Sequence, residues 1–177
     1  MTNFINFITV ARIFLAPIIL IFLIFGNYLI CLLLFFLAGL TDYFDGYLAR
    51  KYNAESQLGE ILDPIADKIL IVFILIGLSV DLDSFLIAFL GSLIIAREIG
   101  VSALRDYSSR NNKSHKTKVT YLAKIKTSVQ LFSIGLYLFA LAFSFNLLII
   151  IADIFLIIAT LITLYTGYKY TLNVFKK

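Results

Sequence analysis

The sequence is poor in the residues that build disulfide frameworks and thiolate or imidazole metal sites. Its 177 residues include one cysteine, one histidine and no tryptophan. Cys31 alone cannot form an internal disulfide bond or a cysteine-ligated metal site, and it is interpreted as a packing residue in an apolar run. His115 has no second histidine or cysteine as a partner and is interpreted as a solvated loop residue. Any metal site must therefore use oxygen ligands.

Charge is scarce as well, which excludes an ordinary soluble domain. Charged residues make up 15% of the chain and hydrophobic residues 61%, with a mean hydropathy of +0.97, whereas soluble domains are about 25% charged and about half apolar. The only two prolines, Pro17 and Pro64, lie within helical patterns. No linker, low-complexity tract or repeat divides the sequence. We expect a single membrane domain over residues 1–177.

Long apolar segments predict the fold class. A helix needs about 20 predominantly apolar residues to cross a bilayer core. The sequence contains six such segments, at residues 5–26, 28–49, 60–80, 84–106, 121–144 and 146–169. No small-residue cleavage pattern follows the first segment, so we expect it to remain as a span. The predicted fold is an all-α integral membrane protein with six transmembrane helices.

Basic residues fall on one side of these predicted spans. The turns at 26–27, 81–83 and 143–146 contain no lysine or arginine. The basic residues lie at the opposite ends, namely Arg12, Arg50, Lys51, the run from 105 to 126, Lys169, Lys176 and Lys177. The positive-inside rule makes that side cytoplasmic, together with both termini. This orientation and attraction to anionic lipids explain the net charge of +4 without a nucleic-acid partner.

Four aspartates stand at the cytoplasmic ends of the second and third spans. Asp42 and Asp45 are three residues apart, and Asp63 and Asp67 are four apart, so each pair shares a helix face. The short connection at 50–59 makes the two helices an antiparallel hairpin, which places both pairs at a similar depth. An ionised aspartate in the middle of a membrane helix costs about 2.5–3.5 kcal/mol. The four acids therefore require a cation among them.

Carboxylates without histidine or cysteine are the ligands of hard divalent ions such as Mg²⁺ or Mn²⁺. Four of them suffice for two ions about 3.5–4 Å apart, an arrangement that stabilises the attacking and leaving oxygens in phosphoryl transfer. Lys68 and Arg50 are further sources of positive charge. Small residues on the acidic faces, Gly46, Ala49 and Gly59, let a neighbouring helix or a flat ligand approach the backbone. The pattern favours an active site near the cytoplasmic surface over acids that serve only as ion pairs or caps.

Written in full, the pattern is Asp42-x-x-Asp45-Gly46-x-x-Ala49-Arg50, eight residues, then Gly59-x-x-x-Asp63-x-x-x-Asp67. It resembles the signature of the CDP-alcohol phosphatidyltransferase family at every specified position. The resemblance implies that the motif binds a CDP-linked lipid and that an alcohol attacks its β-phosphorus with release of CMP. It also implies a homodimer, and six spans with cytoplasmic termini agree with the family's fold.

The resemblance further implies a role for each motif residue. Asp42, Asp45 and Asp63 are expected to ligate the divalent ions, and Asp67 to bridge to them and act as general base toward the acceptor hydroxyl. The residues expected to bind the CDP-lipid are Gly46, Ala49, Gly59 and, at the diphosphate, Arg50. Spacing alone does not decide which carboxylate is the base.

Stretches outside the signature are similar to bacterial phosphatidylglycerophosphate synthases, which use sn-glycerol 3-phosphate as acceptor. These stretches are Asn6-x-x-Thr9-x-x-Arg12, residues 62–68, Arg97-Glu98-Ile99-x-Val101-Ser102-x-Leu104-Arg105, and Lys124-x-Lys126-Thr127-x-x-Gln130. An anionic acceptor needs cations, and the residues predicted to bind its phosphate are Arg97, Arg105, Lys124 and Lys126. Two other interpretations compete with phosphate binding. Arg105, Lys124 and Lys126 would also follow from the positive-inside rule, and Arg97 would also form a structural ion pair with Glu98. The synthases usually have glycine directly before the first lysine of the last of these stretches, where this chain has Ala123. This difference would also suit a different acceptor pocket.

The favoured function is transfer of the phosphatidyl group from CDP-diacylglycerol to glycerol 3-phosphate in a bacterial inner membrane. An alternative within the family is transfer to phosphatidylglycerol, serine or inositol phosphate. An alternative of another class is a divalent-cation channel or transporter. Transporters often carry matched repeats around a midplane site, whereas these acids cluster at one end and the two halves do not match. The sequence assigns no role to Asp153 beyond hydrogen bonding or helix capping.

Overall fold

The computed structural model describes residues 2–52, 56–110 and 121–175, and in these ranges all the regular secondary structure is α-helical. The helices are α1 Thr2–Ile24, α2 Tyr28–Lys51, α3 Gln57–Asp81, α4 Phe85–Arg110, α5 Tyr121–Phe143 and α6 Asn146–Phe175. Each one coincides with a predicted apolar segment, which confirms the all-α fold. His115 lies outside the described residues.

The three tight turns between paired helices share one capping geometry. Gly26, Asp83 and Ser144 have positive φ angles of 70°, 45° and 58°. In each turn the next backbone N–H donates to the carbonyl five residues earlier, at 2.9 Å from Asn27 to Phe22, with equivalent bonds at Ser84 and Phe145. A left-handed residue followed by this bond is the Schellman helix ending. It reverses the chain in two or three residues, so α1–α2, α3–α4 and α5–α6 form antiparallel hairpins.

The six helices form a closed ring. Going round it, α1 packs on α2, α2 on α5, α5 on α6, α6 on α4, α4 on α3, and α3 again on α1, while α3 also touches α5. The apolar core lies in the half of the bundle near the tight turns and includes Ile19, Leu23, Ile74, Leu78, Leu138 and Leu156, all 0% exposed. Buried polar residues occupy the other half, among them Thr9, Arg12, Asp45, Lys126, Gln130 and Thr166.

Five of the six helices are long and apolar enough to cross a membrane, judged over the described residues. These are α1, α2, α4, α5 and α6, and their outward surfaces expose many large apolar side chains. Such surfaces suit contact with lipid tails. The first twelve residues of α3 contain Glu60, Asp63, Asp67 and Lys68, so this helix falls outside the group. The protein is therefore a multi-pass membrane protein.

Candidate active site

The four predicted site acids do lie together, and α1 supplies the cation between them. We call Asp42, Asp45, Asp63 and Asp67 the acid cluster. Arg12 Nη1 donates to Asp42 Oδ1 at 2.5 Å and to Asp67 Oδ1 at 3.0 Å, and Nη2 donates to Asp45 Oδ2. One guanidinium on α1 thus joins carboxylates from α2 and α3. The predicted α2–α3 hairpin is not the main packing among the described residues, because α1 packs on both helices and lies between them.

Thr9 completes the contacts between α1 and the acid cluster. Its hydroxyl lies 3.2 Å from Asp45 Oδ2 and 3.0 Å from Asp63 Oδ1. Thr9 and Arg12 are both 1% exposed, and they stand three positions apart, so they share one face of α1. Every member of the acid cluster therefore has a polar partner on the first helix.

The acids differ in their access to the surroundings. The Asp45 side chain is 3% exposed, whereas those of Asp42 and Asp67 are 50% and 39% exposed. A cavity lies next to the acid cluster, and among the described residues Asp67 is the one member of the cluster that lines it. Asp67 therefore lies at the boundary between the acids and that cavity.

The cavity has a volume of about 760 Å³ and lies between α3, α4, α5 and α6. We call it the cationic cavity, because its charged lining, as far as the described residues show it, consists of Lys68, Arg97, Arg105, Lys126 and Lys169 against Asp67, Glu98 and Asp106. Five basic and three acidic side chains leave a net charge of +2. A concave, mainly apolar space with convergent polar groups is the usual form of a small-molecule site, and this one suits an anion.

A sequence model of CDP-alcohol phosphatidyltransferases matches residues 2–169. The chain belongs to this family. A Rickettsia typhi protein named CDP-diacylglycerol–glycerol-3-phosphate 3-phosphatidyltransferase is 39% identical over 178 residues, which cover 96% of each chain. A Haemophilus influenzae protein of the same name is 35% identical over 171 residues, covering 93% of this chain and 89% of the relative. As a CDP-alcohol phosphatidyltransferase, the protein is an enzyme of phospholipid synthesis, and its family generally uses a divalent metal.

The donor chemistry of the acid cluster fits such an ion. Its members offer only carboxylate oxygens, which hard divalent cations prefer. Four carboxylates and the Arg12 guanidinium leave three negative charges when all are ionised, so the cluster still demands cations. Among the described residues, no three aspartate, glutamate, histidine or cysteine side chains lie together in an arrangement that could hold a metal ion. Arg12 lies among the acids and binds three of them.

The small residues predicted to bind the CDP-lipid have different surroundings. Gly59 is buried, and a Cβ atom there would lie 3.1 Å from Ser56 Oγ and 3.2 Å from Asn6 Oδ1. Its N–H donates to Ser56 Oγ at 2.9 Å and so caps the start of α3. Gly59 thus allows close packing of α3 on α1. Gly46 is partly buried, and the side chains of Ala49 and Arg50 lie outside the described residues.

A hydrogen-bonded network holds two of the predicted acceptor-binding cations. Glu98 Oε1 accepts from Arg97 Nη1 at 2.8 Å and also from Lys126 Nζ. The predicted pairing of Arg97 with Glu98 is therefore present, and Lys126 from α5 joins it. Both cations still line the cationic cavity, as does Arg105. The side chain of Lys124 lies outside the described residues.

Helix α6 holds Arg97 from the opposite side. Arg97 Nη2 donates to Thr166 Oγ1 at 2.9 Å. A Cβ atom at Gly167 would lie 2.8 Å from Arg97 Cγ and 3.0 Å from its Nε, so the arginine passes over bare backbone. The Arg97 side chain is 9% exposed, and its Nε has no hydrogen-bond partner among the described residues. The guanidinium is thus fixed at both ends while one donor stays unused.

Sequence reasoning missed the contributions of α1 and α6. The spacing Asn6-x-x-Thr9-x-x-Arg12 was a usable signal, because residues three apart share a helix face, but it does not say what that face contacts. Nothing in the sequence of α6 marks Thr166 or Gly167 as partners of Arg97. Asp153, for which only hydrogen bonding or capping was predicted, accepts a hydrogen bond from the buried Tyr137 hydroxyl.

Proposed function

We propose that the protein transfers the phosphatidyl group of CDP-diacylglycerol to sn-glycerol 3-phosphate, giving phosphatidylglycerophosphate and CMP. The observation that carries this proposal is the position of Asp67, which belongs to the acid cluster and also lines the cationic cavity. One side chain thereby borders both a place for a metal-bound diphosphate and a place for an anionic alcohol. The names of the two relatives support the same reaction.

The acid cluster is the proposed site of the diphosphate. Asp42, Asp45, Asp63 and Asp67 would hold Mg²⁺ or Mn²⁺, which supplies charge stabilisation for the diphosphate and the leaving CMP. Asp67 is the proposed general base, because it is half-exposed and faces the cavity. It accepts the proton of the acceptor hydroxyl as that oxygen bonds to phosphorus and the bond to CMP breaks. Gly46, Ala49, Arg50 and Gly59 remain the residues proposed to bind the CDP-lipid.

The cationic cavity is the proposed site of glycerol 3-phosphate. Arg97, Arg105 and Lys126 line it together, and Lys124 is proposed as a fourth ligand from the start of α5. Arginine and lysine bind phosphate through charge-assisted hydrogen bonds. An acceptor without a phosphate or a net charge, such as serine, would leave this positive surface without a matching partner.

The placement of the site also supports the proposed topology. We propose that α3 crosses the membrane with the other five helices, within a single domain spanning residues 1–177 and with both termini in the cytoplasm. The acid cluster and the cationic cavity then lie in the cytoplasmic half, where a soluble acceptor arrives. The bacterial relatives support an inner-membrane location. A homodimer is proposed from the family resemblance.

The reaction can be tested with the purified protein, CDP-diacylglycerol, radiolabelled glycerol 3-phosphate and Mg²⁺. We expect release of CMP and label in a lipid product, both abolished by EDTA and by Asp67→Asn. Asp83→Asn is the matched control, because Asp83 is exposed in a tight turn at the far end of α3, and it should retain activity. Release of CMP only with another alcohol would refute the acceptor. No CMP with any alcohol, together with ion flux into sealed vesicles, would favour the transporter alternative.

A further inference from the structure

Arg12 is the most deeply buried charged side chain at the site, and phosphatidyl transfer as proposed above does not require it. It is 1% exposed and lies within the predicted span of α1. Its two terminal nitrogens bind three carboxylates from α2 and α3. Burying a cation is costly unless it is paired, so these contacts account for its presence. They also make the arrangement of the acids depend on α1.

The charges show why the acid cluster needs Arg12 before a metal ion binds. Four ionised carboxylates at close range repel one another, and a single guanidinium offsets one of their four charges. The pairing is also incomplete, because Arg12 Nε is buried without a hydrogen-bond partner among the described residues. A bound divalent ion would use the same carboxylate oxygens. Arg12 and the ion are therefore alternative partners for the acids.

We infer that Arg12 is a positioning residue that aligns and neutralises the acid cluster in the metal-free protein and shares its carboxylates with a divalent ion on binding. The inference rests on the proposed metal dependence. Its consequence is that the stabilising effect of Arg12 is large without metal and small with it. An arginine that merely held three helices together would stabilise both states equally.

The test compares thermal unfolding of wild type and Arg12→Met in detergent, in EDTA and in saturating Mn²⁺. In EDTA we expect the midpoint of Arg12→Met to lie on the order of 10 °C below wild type, because removal of one partner leaves buried charge uncompensated. In saturating Mn²⁺ the difference in unfolding midpoint between Arg12→Met and wild type should fall to less than about half of its value in EDTA. By linkage, Arg12→Met should bind Mn²⁺ at least as tightly as wild type, which electron paramagnetic resonance measures.

Arg97→Met is the matched control, since Arg97 is also a buried arginine but contacts none of the acid cluster. Its deficit should be the same in EDTA and in Mn²⁺. Equal deficits for Arg12→Met in both conditions, or weaker Mn²⁺ binding, would overturn the inference while leaving the proposed function intact. No Mn²⁺ effect on wild type would overturn the metal site itself. If Arg12→Met does not accumulate in membranes, Arg12→Lys supports the same comparison, because an ammonium cannot fork to three carboxylates.

Discussion

Gly167→Ala tests whether α6 sets the position of Arg97, the arginine proposed to bind the acceptor. The new Cβ atom would lie 2.8 Å from Arg97 Cγ and 3.0 Å from Nε, whereas non-bonded carbon atoms are ordinarily about 3.5–4.0 Å apart. The middle of the Arg97 side chain must therefore move by roughly 0.7 Å. Both ends of its guanidinium are bound, to Glu98 at 2.8 Å and to Thr166 at 2.9 Å. The movement must lengthen at least one of these bonds.

We expect the displaced Arg97 to bind the acceptor phosphate less well, so that the KM for glycerol 3-phosphate rises on the order of tenfold. A hydrogen bond to a charged group contributes about 1.5–3 kcal/mol, and about 1.4 kcal/mol is a factor of ten. The KM for CDP-diacylglycerol should not change, since the acid cluster is untouched. Thermal stability should be equal or lower, because alanine favours a helix over glycine by only about 0.5–1 kcal/mol, which does not outweigh the charged hydrogen bond that the displaced Arg97 lengthens. Initial rates of CMP release, with each substrate varied in turn, measure both constants.

Gly100→Ala is the control for this substitution. Gly100 lies in α4, the helix that carries Arg97, and a Cβ atom there meets nothing within 4 Å. The control should leave both KM values unchanged. If Gly167→Ala also left the acceptor KM unchanged while remaining folded, the reasoning would be refuted, because either Arg97 is free to move or it does not bind the acceptor.

Two further substitutions test the polar network. Lys126→Met removes a buried cation from the cationic cavity. The KM for glycerol 3-phosphate should rise at least about tenfold, because a hydrogen bond to a charged group contributes about 1.5–3 kcal/mol, and the KM for CDP-diacylglycerol should stay unchanged. An equal rise in both KM values would contradict a specific role in acceptor binding. Tyr137→Phe removes the donor that Asp153 accepts from, which should destabilise the protein by about 1–3 kcal/mol. Thermal unfolding checks this, and activity at low temperature should be retained; an unchanged midpoint would show that Asp153 finds another partner.

The helices could be predicted because a membrane constrains the chain so strongly. Lipid offers no hydrogen-bond partner to the backbone, so each apolar segment must be helical over its whole length. The ends were less predictable. Helix α6 continues to Phe175, six residues beyond the predicted limit at 169, because hydropathy marks where the apolar run stops and not where the backbone hydrogen bonds stop. The number of spans stays a prediction for α3, whose charged first half hides it from a hydropathy criterion.

The acid cluster was predictable for a related reason. Carboxylates in an apolar segment are costly enough to indicate function, and helical spacing places each pair on one face. The two faces meet through α1, which packs between α2 and α3. The cation that joins them was not predictable, because Arg12 also satisfies the positive-inside rule, and a single basic residue near a helix end carries no information about its partner. Only the packing of α1 between α2 and α3 distinguishes the two explanations.

The order of helices round the bundle explains why the site has two halves with opposite charge. Among the described residues, helix α3 alone contributes side chains both to the acid cluster and to the lining of the cationic cavity. Asp67 lies on α3 where the two meet, with Arg12 on one side and the cavity on the other. Lys68, the next residue, donates to Ser102 on α4 at 2.6 Å. Asp67 and Lys68 both line the cationic cavity, whereas the cations proposed to bind the acceptor phosphate, Arg97, Arg105 and Lys126, lie on α4 and α5. The packing of α3 on α4 and α5 therefore sets the distance between the proposed base and the proposed phosphate site.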